Sequence, residues 1–393
     1  MEELKNRLET LCVFRDLLKD PVISALCAYL DTAAGPAYAG FVAALYRANG
    51  GNLTDYVREL CENSDNVYVK TVGRGEAVPA CIYDSLLSEL DTLQEVAELT
   101  KEKLCGTLAY RGFLPGFTGS ALSLKDSYLR RTENIGKYGY GIYAKNRMFY
   151  VDGQNTIVPV RNPDQTELSQ LVDYERERKT IIDNTEALLA GKPAANILLT
   201  GDAGTGKSST VKAVANALWS EGLRMIEVRK DQLRAIPVIL DELSGNPLKF
   251  VLFIDDLSFS KDDDTFNSLK AVLEGSVTAK SRNVVIYATS NRRHIIKEKF
   301  SDREGDDIHR NDTVQELISL SERFGIHITF SKPGKETFLH IVHHLAKENG
   351  IEMEKDELDL LAERFALERG GRSARAARQF IDGLLAKGQN VCG

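Results

Sequence analysis

Apolar residues recur along this chain in two rhythms, and the change from one to the other divides it. Up to about residue 105 the spacing is helical. Leu4, Leu8, Leu11 and Leu18 repeat along one face, and Pro21 suits the first turn of a second helix. The pattern predicts further helices over 54–61 and 85–104, with a short strand over 67–72 between them. From 106 to 160 the texture turns to glycine, tyrosine and short apolar runs. Runs at 141–144 and 148–151 flank Lys145, Asn146 and Arg147 as a hairpin would, and Asp152-Gly153 is a turn before a last run at 156–160. Residues 161–164 read as a linker.

Beyond the linker, strand-like and helix-like segments alternate, the pattern of a parallel sheet covered by helices. Strands are expected over 196–200, 224–228, 250–254, 283–289 and 326–330. Helices are expected over 175–189, from Lys207, and over 231–243, 266–273 and 313–322. After Pro333 only helices follow, over 336–347, 356–367 and 374–385. The expected fold class is therefore α/β. Residues 1–163 form an N-terminal accessory domain, mainly helical and then a small β region; 164–332 form the α/β core, and 333–393 a helical lid.

Composition narrows the function classes. A net charge of -7 rules out a histone-like protein that coats nucleic acid by bulk charge. The longest uncharged apolar stretch, 33–46, is too short for a bilayer and contains Gly35 and Pro36. The start, with Glu2 and Glu3, lacks the pattern of a signal peptide, so the cytoplasm is the expected location and no membrane partner is expected. The six cysteines have no C-x-x-C pair, which fits free thiols better than a zinc site or a disulfide framework.

The chemistry concentrates between the first core strand and the helix after it. Gly201, Asp202, Ala203, Gly204, Thr205, Gly206, Lys207 and Ser208 fit G-x-x-x-x-G-K-[ST], and Ser209 continues into the helix. The glycines let successive backbone N–H groups face a phosphate, and the helix N-terminus adds positive dipole. Lys207 is a point charge for the terminal phosphates of ATP, and Ser208 offers a hydroxyl to Mg2+. The apolar strand 250–254 then ends in Asp255 and Asp256, although buried strands avoid carboxylates. Asp255 is the candidate for holding Mg2+ through water, and Asp256 for polarising the attacking water.

With these motifs in hand, the sequence resembles the AAA+ branch of P-loop ATPases over roughly 165–388. The resemblance implies a five-stranded parallel sheet in the order 5-1-4-3-2, a helical lid, and a ring-like homo-oligomer with shared sites. Asn291, at the tip of the fourth core strand, resembles the sensor 1 residue, near the γ-phosphate and water. Arg323, in Ser-Glu-Arg-Phe-Gly, resembles the arginine finger that reaches a neighbouring subunit's site. Arg375 resembles the sensor 2 nucleotide contact, with Arg372 as the alternative. Val172 and Tyr174 lie in a segment similar to the one that packs on adenine. More narrowly, 253–259, 287–294 and 318–325 resemble an uncharacterised prokaryotic AAA+ family filed as domain of unknown function 815.

Some features depart from the best-known members. Many AAA+ motors carry Glu where this chain has Asp256, and small misplacements of a catalytic group can cost ~10²-fold in rate. Asp-Asp also occurs in the replication-initiator branch, so slow hydrolysis is expected. The place of a peptide-threading loop reads Val228, Arg229, Lys230, Asp231, Gln232, with no aromatic and no glycine. The stretch between Leu273 and Asn283 is too short for a branch-migration hairpin. An unidentified protein client is therefore expected, remodelled or gated by ATP, with a slow ATP-loaded switch or scaffold, or a nucleic-acid-acting initiator or loader, as the alternatives.

Two accessory patterns stand apart. Residues 106–151 are basic, with Arg130, Arg131, Lys137 and Arg147 among them, and interleaved with aromatics such as Tyr128, Tyr138, Tyr143 and Phe149. Such a stretch can bind single-stranded nucleic acid. The favoured reading makes the rings the core of a small sheet and the charges a solvated or docking face. His340, His343 and His344 lie opposite the apolar side of their helix and are expected to face solvent, without the carboxylate or cysteine register of a metal site.

Overall fold

Seven strands form the sheet, not the five expected. In this computed structural model, which describes residues 1–386 apart from 107, 109, 111, 258–264, 275–281 and 292–321, the strands are β1 (Met148–Val151), β2 (Ile157–Pro159), β3 (Ile197–Gly201), β4 (Leu223–Glu227), β5 (Lys249–Ile254), β6 (Val284–Ser290) and β7 (Ile326–Phe330). Their order is β2-β1-β4-β5-β6-β3-β7. Read from β7, the strands β3 to β7 keep the relative order 5-1-4-3-2, and β1 and β2 extend the sheet beyond β4. All neighbours are parallel except β1 and β2.

That extension changes the organisation. The chain separates into two compact units, Met1–Asn146 with Gly245–Leu248, and Arg147–Ser244 with Lys249–Gly393. The first unit thus ends before β1, whereas the sequence placed the junction at 163. The hairpin expected around Lys145, Asn146 and Arg147 is absent. Ile142–Lys145 is a helical turn, and β1 pairs with β2 across a turn at Asp152, whose carboxylate accepts from the backbone N–H of Gln154 and Thr156.

The first unit is helical, and its core gathers Leu8, Phe14, Leu26, Tyr38, Phe41, Leu90 and Tyr128. Pro21 does open a helix, Pro21–Thr32, and Asp20 caps it by accepting from Val22 and Ile23. The strand expected over 67–72 is instead the helix Val67–Gly73, because the side chain of Asn66 accepts from the Val69 N–H and starts a helical turn. Glu89 is a buried carboxylate, satisfied by the N–H groups of Cys12, Val13 and Phe14 at 2.8, 3.0 and 2.9 Å.

In the second unit the parallel register brings the C-terminal ends of β5, β6, β3 and β7 side by side. Gly201 stands opposite Phe330, Thr200 opposite Ser290, and Ile254 opposite Ala288. The helix Lys207–Ala217 starts directly after the β3 loop and packs Val211 and Val214 on the sheet. The C-terminal helices Lys335–Glu348, Lys355–Glu368 and Ala374–Ala386, where the sequence placed the lid, pack around Phe338, Val342, Ala362 and Ile381. Most of the expected helix over 313–322 lies outside the described residues. Among the described residues no helix is long and apolar enough to cross a membrane.

Candidate functional site

Backbone geometry explains the glycines of the β3 loop. Gly201, Gly204 and Gly206 have φ of +138°, +78° and +94°, values that side-chain-bearing residues rarely adopt. At Gly201 a Cβ would stand 2.1 Å from the Phe330 carbonyl oxygen, so β7 could not approach. With the loop curled in this way, Lys207 falls in the first turn of its helix and points back under it. Its Nζ donates to the carbonyls of Gly201 and Asp202 at 2.9 and 2.8 Å, and to Asn291 Oδ1 at 3.1 Å. Burial pushes the Lys207 ammonium below the ordinary lysine range, against the opposing pull of Asp202, Asp255 and Asp256.

The two acids beyond β5 take different partners. Asp255 Oδ1 accepts from Ser208 Oγ at 2.7 Å and from Thr289 Oγ1 at 2.6 Å. Asp256 sits at φ +54°, a left-handed conformation that aspartate tolerates better than most residues. Its N–H donates to Thr289 Oγ1 at 3.0 Å, and its Oδ1 accepts from Asn291 Nδ2 at 2.7 Å. Lys207, Ser208, Asp255, Asp256 and Asn291 are thus joined by hydrogen bonds at one point. Thr289 ties the β5 and β6 ends together and was not singled out in the sequence as a site residue; its hydroxyl, one residue along the tip segment from Ser290, was the available signal.

The donor set suits Mg2+. A hydroxyl and a carboxylate, both hard oxygens, already meet at Ser208 and Asp255, and Mg2+ typically takes few protein ligands, completing its shell with water and phosphate. No group of three or more His, Cys, Asp or Glu able to hold a metal occurs among the described residues.

Around this point lies a cleft of about 500 Å³, bordered by the loop, Val172, Tyr174, Phe330 and Arg375. Its volume is that of an ordinary small-molecule site. Tyr174 is fixed on both sides, its ring 5.2 Å from Phe330 and its hydroxyl donating to the Ser331 carbonyl at 2.5 Å. Burial, with Asp173 beside it, pushes the phenol up to about 12. Val172 packs against the lid. From the lid, the Arg375 N–H donates to the Gly204 carbonyl at 3.2 Å. Arg372 is occupied elsewhere, held by both carboxylate oxygens of Glu363 at 2.8 and 2.6 Å. Of the two arginines only Arg375 borders the cleft. Arg378, one helical turn on, borders it as well and was missed.

Arg323 is not among these residues. It precedes β7, while the glycine-rich loop follows the C-terminal end of the parallel β3, so the five residues of β7 alone separate them by ~16 Å. It borders a different cleft with Arg282, at the other end of the strands.

The accessory patterns resolve differently. Residues 230–235 form a short helix tied to the sheet edge, with Gln232 Nε2 donating to the Val151 and Asp152 carbonyls. The basic, aromatic stretch is not one small sheet. Phe149 and Tyr150 lie in β1, Tyr128 is core to the helical unit, and Tyr138 is exposed. His340 is exposed as expected, His343 and His344 are half-buried, and each meets a carboxylate: His340 with Asp173, His343 with Asp359, His344 with Glu348.

Residues 144–388 match the family described as protein of unknown function (DUF815). No curated protein matches the chain. Among solved structures it is similar to the Thermotoga maritima RuvB Holliday junction branch migration motor, at 17% identity and a TM-score of 0.39, over 58% of this chain and 68% of that one. It is also similar to a chain of the E. coli MS115-1 HORMA:CdnC:Trip13 complex, at 14% identity and a TM-score of 0.39, over 56% of this chain and 93% of that one.

Proposed function

As this chain belongs to the family described as protein of unknown function (DUF815), we propose that it is an AAA+ ATPase that hydrolyses ATP slowly to remodel or gate a macromolecular client. The carrying observation is the hydrogen-bonded convergence of Lys207, Ser208, Asp255, Asp256 and Asn291 beneath the curled loop. Phosphate oxygens replace the Gly201 and Asp202 carbonyls as partners of the Lys207 ammonium. The loop N–H groups hold the remaining oxygens. Ser208 and Asp255 hold Mg2+, which supplies charge neutralisation on the phosphates when bound. Asp256 accepts the proton of the attacking water, and Asn291 orients that water. Val172 and Tyr174 border the base, and Arg375 brings the lid to the phosphates.

Arg323 serves a neighbouring copy. Its position at the opposite end of β7 from its own phosphate loop supports a shared site, and with it a homo-oligomer of ring type. A slow, switch-like cycle is favoured over a fast motor by one feature. Asp256 is short, sits at φ +54°, and has its carboxylate held by Asn291. The test is ATP binding and turnover by the full chain with Mg2+, beside Lys207→Ala. Absence of both from the wild-type protein overturns the reading.

A further inference from the structure

A further cavity, of about 440 Å³, opens in the helical unit beside the C-terminal end of the helix Leu124–Glu133. Glu62, Ser127, Arg130, Arg131, Asn134 and Tyr138 line it. Arg131 is its centre. The guanidinium lies over the Tyr138 ring at 4.6 Å, and the side chain is only 17% exposed. Its Nε is buried, and among the described residues no acceptor bonds to it. Burial pushes this guanidinium below the ordinary arginine range, against the pull of Glu62.

Glu62 does not complete it. The closest approach is 4.0 Å to a terminal nitrogen, beyond hydrogen-bond range, and its other oxygen accepts from Ser127 Oγ at 3.1 Å. Burying a guanidinium with an unmet N–H is costly, and the group that suits a guanidinium best is a planar oxyanion. Charge selects among oxyanions. Arg130 and Arg131 against Glu62 leave the cavity with one net positive charge, which a monoanion balances and a phosphate dianion overshoots beside Glu62.

We propose that this cavity receives a carboxylate of a partner peptide, an acidic side chain or a C-terminus, on Arg131 with Arg130 beside it. Tyr138, 44% exposed, provides a flat apolar wall for the adjoining peptide, and Ser127 and Asn134 offer polar edges. The site shares no residue with the candidate nucleotide cleft and gives the helical unit a recognition chemistry of its own.

The test titrates the full chain with fluorescent Gly/Ser peptides. One has an internal Glu and an amidated end, one only a free C-terminus, one Gln and an amidated end, and one phosphoserine. The proposal expects at least one carboxylate peptide to bind ~10-fold or more tighter than the Gln control, a difference lost in Arg131→Gln. Which of the two binds identifies the source of the carboxylate. An unchanged thermal unfolding profile of Arg131→Gln reports that it is folded. Should that variant fail to fold, Glu62→Gln decides, since adding one net positive charge must shift preference toward phosphoserine. Equal binding of the carboxylate and Gln peptides, a wild-type preference for phosphoserine, or no change in either variant overturns the proposal.

Discussion

Asn291 Nδ2 donates to Asp256 Oδ1 at 2.7 Å, while Asn291 Oδ1 accepts from the Lys207 ammonium at 3.1 Å. One side-chain amide therefore touches both the proposed base and the proposed phosphate-binding cation, using its donor for one and its acceptor for the other. Asn291→Ala should keep ATP affinity and lose ~10²-fold in turnover, the scale for removing one preorganised donor. Single-turnover hydrolysis measured beside equilibrium binding checks this; equal losses in both would assign Asn291 to binding alone.

The same reasoning separates the two acids. Asp256→Asn should hold ATP and Mg2+ yet lose most hydrolysis, because an amide cannot take a proton. Asp255→Asn should weaken the Mg2+ dependence itself, seen as a higher Mg2+ requirement for binding. If Asp256→Asn turns over normally, another group is the base.

Lys207 carries a stability prediction with a definite sign. Its folded pKa is lowered by burial, so between that value and the ordinary lysine value near ~10.4 the unfolded chain binds the extra proton. Stability contributed by this residue must then rise with pH across that window, and the burial penalty is fully present below it. Lys207→Met should melt no lower than wild type at neutral pH without nucleotide. It should also lose the ATP-induced stabilisation, ~2.7 kcal/mol at a hundredfold excess over Kd. Thermal melts with and without ATP, repeated at alkaline pH, read both effects.

Arg323 tests the shared site. Arg323→Ala should bind ATP normally and lose ~10³–10⁵ in rate if it acts as a finger. Mixed with inactive Lys207→Ala, it should regain activity wherever an intact arginine meets an intact pocket. Failure of demonstrably co-assembled mixtures to recover, or full activity in dilute monomer, removes the shared-site model.

Glu89 tests the helical unit independently of nucleotide. Glu89→Ala leaves three N–H groups of residues 12–14 without an acceptor, at ~1–3 kcal/mol each, so the denaturation midpoint should fall sharply. Glu89→Gln, which keeps one acceptor oxygen, should fall less.

What was legible in the sequence follows from how local each cause is. The curled loop after β3 was readable because its glycines are required by φ at their own positions, and the acids because carboxylates directly after a buried strand are conspicuous. Val67–Gly73 misled because Val-Tyr-Val alternates like a strand, while the deciding bond runs from the neighbouring Asn66. Thr289 and Glu89 were not singled out because the partners that give them their roles lie far off in the sequence, Asp255 for one and the backbone of residues 12–14 for the other. The choice between Arg372 and Arg375 also needed a distant residue, Glu363, which claims the first.

The two strands added beyond β4 bear on how the protein can be dissected. A fragment cut at the sequence-derived junction, residue 164, would carry β4 with its outer row of N–H and C=O groups uncovered, where β1 pairs Met148 with Met225 and Tyr150 with Glu227. Bare edges of this kind recruit strands from other molecules. The outermost strand of the intact sheet resists such recruitment: β2 spans only Ile157–Pro159, and Pro159 has no N–H to offer. Residues 148–159 thus act as a selvedge, and a stably folded fragment of the second unit should begin ahead of Arg147, not behind it.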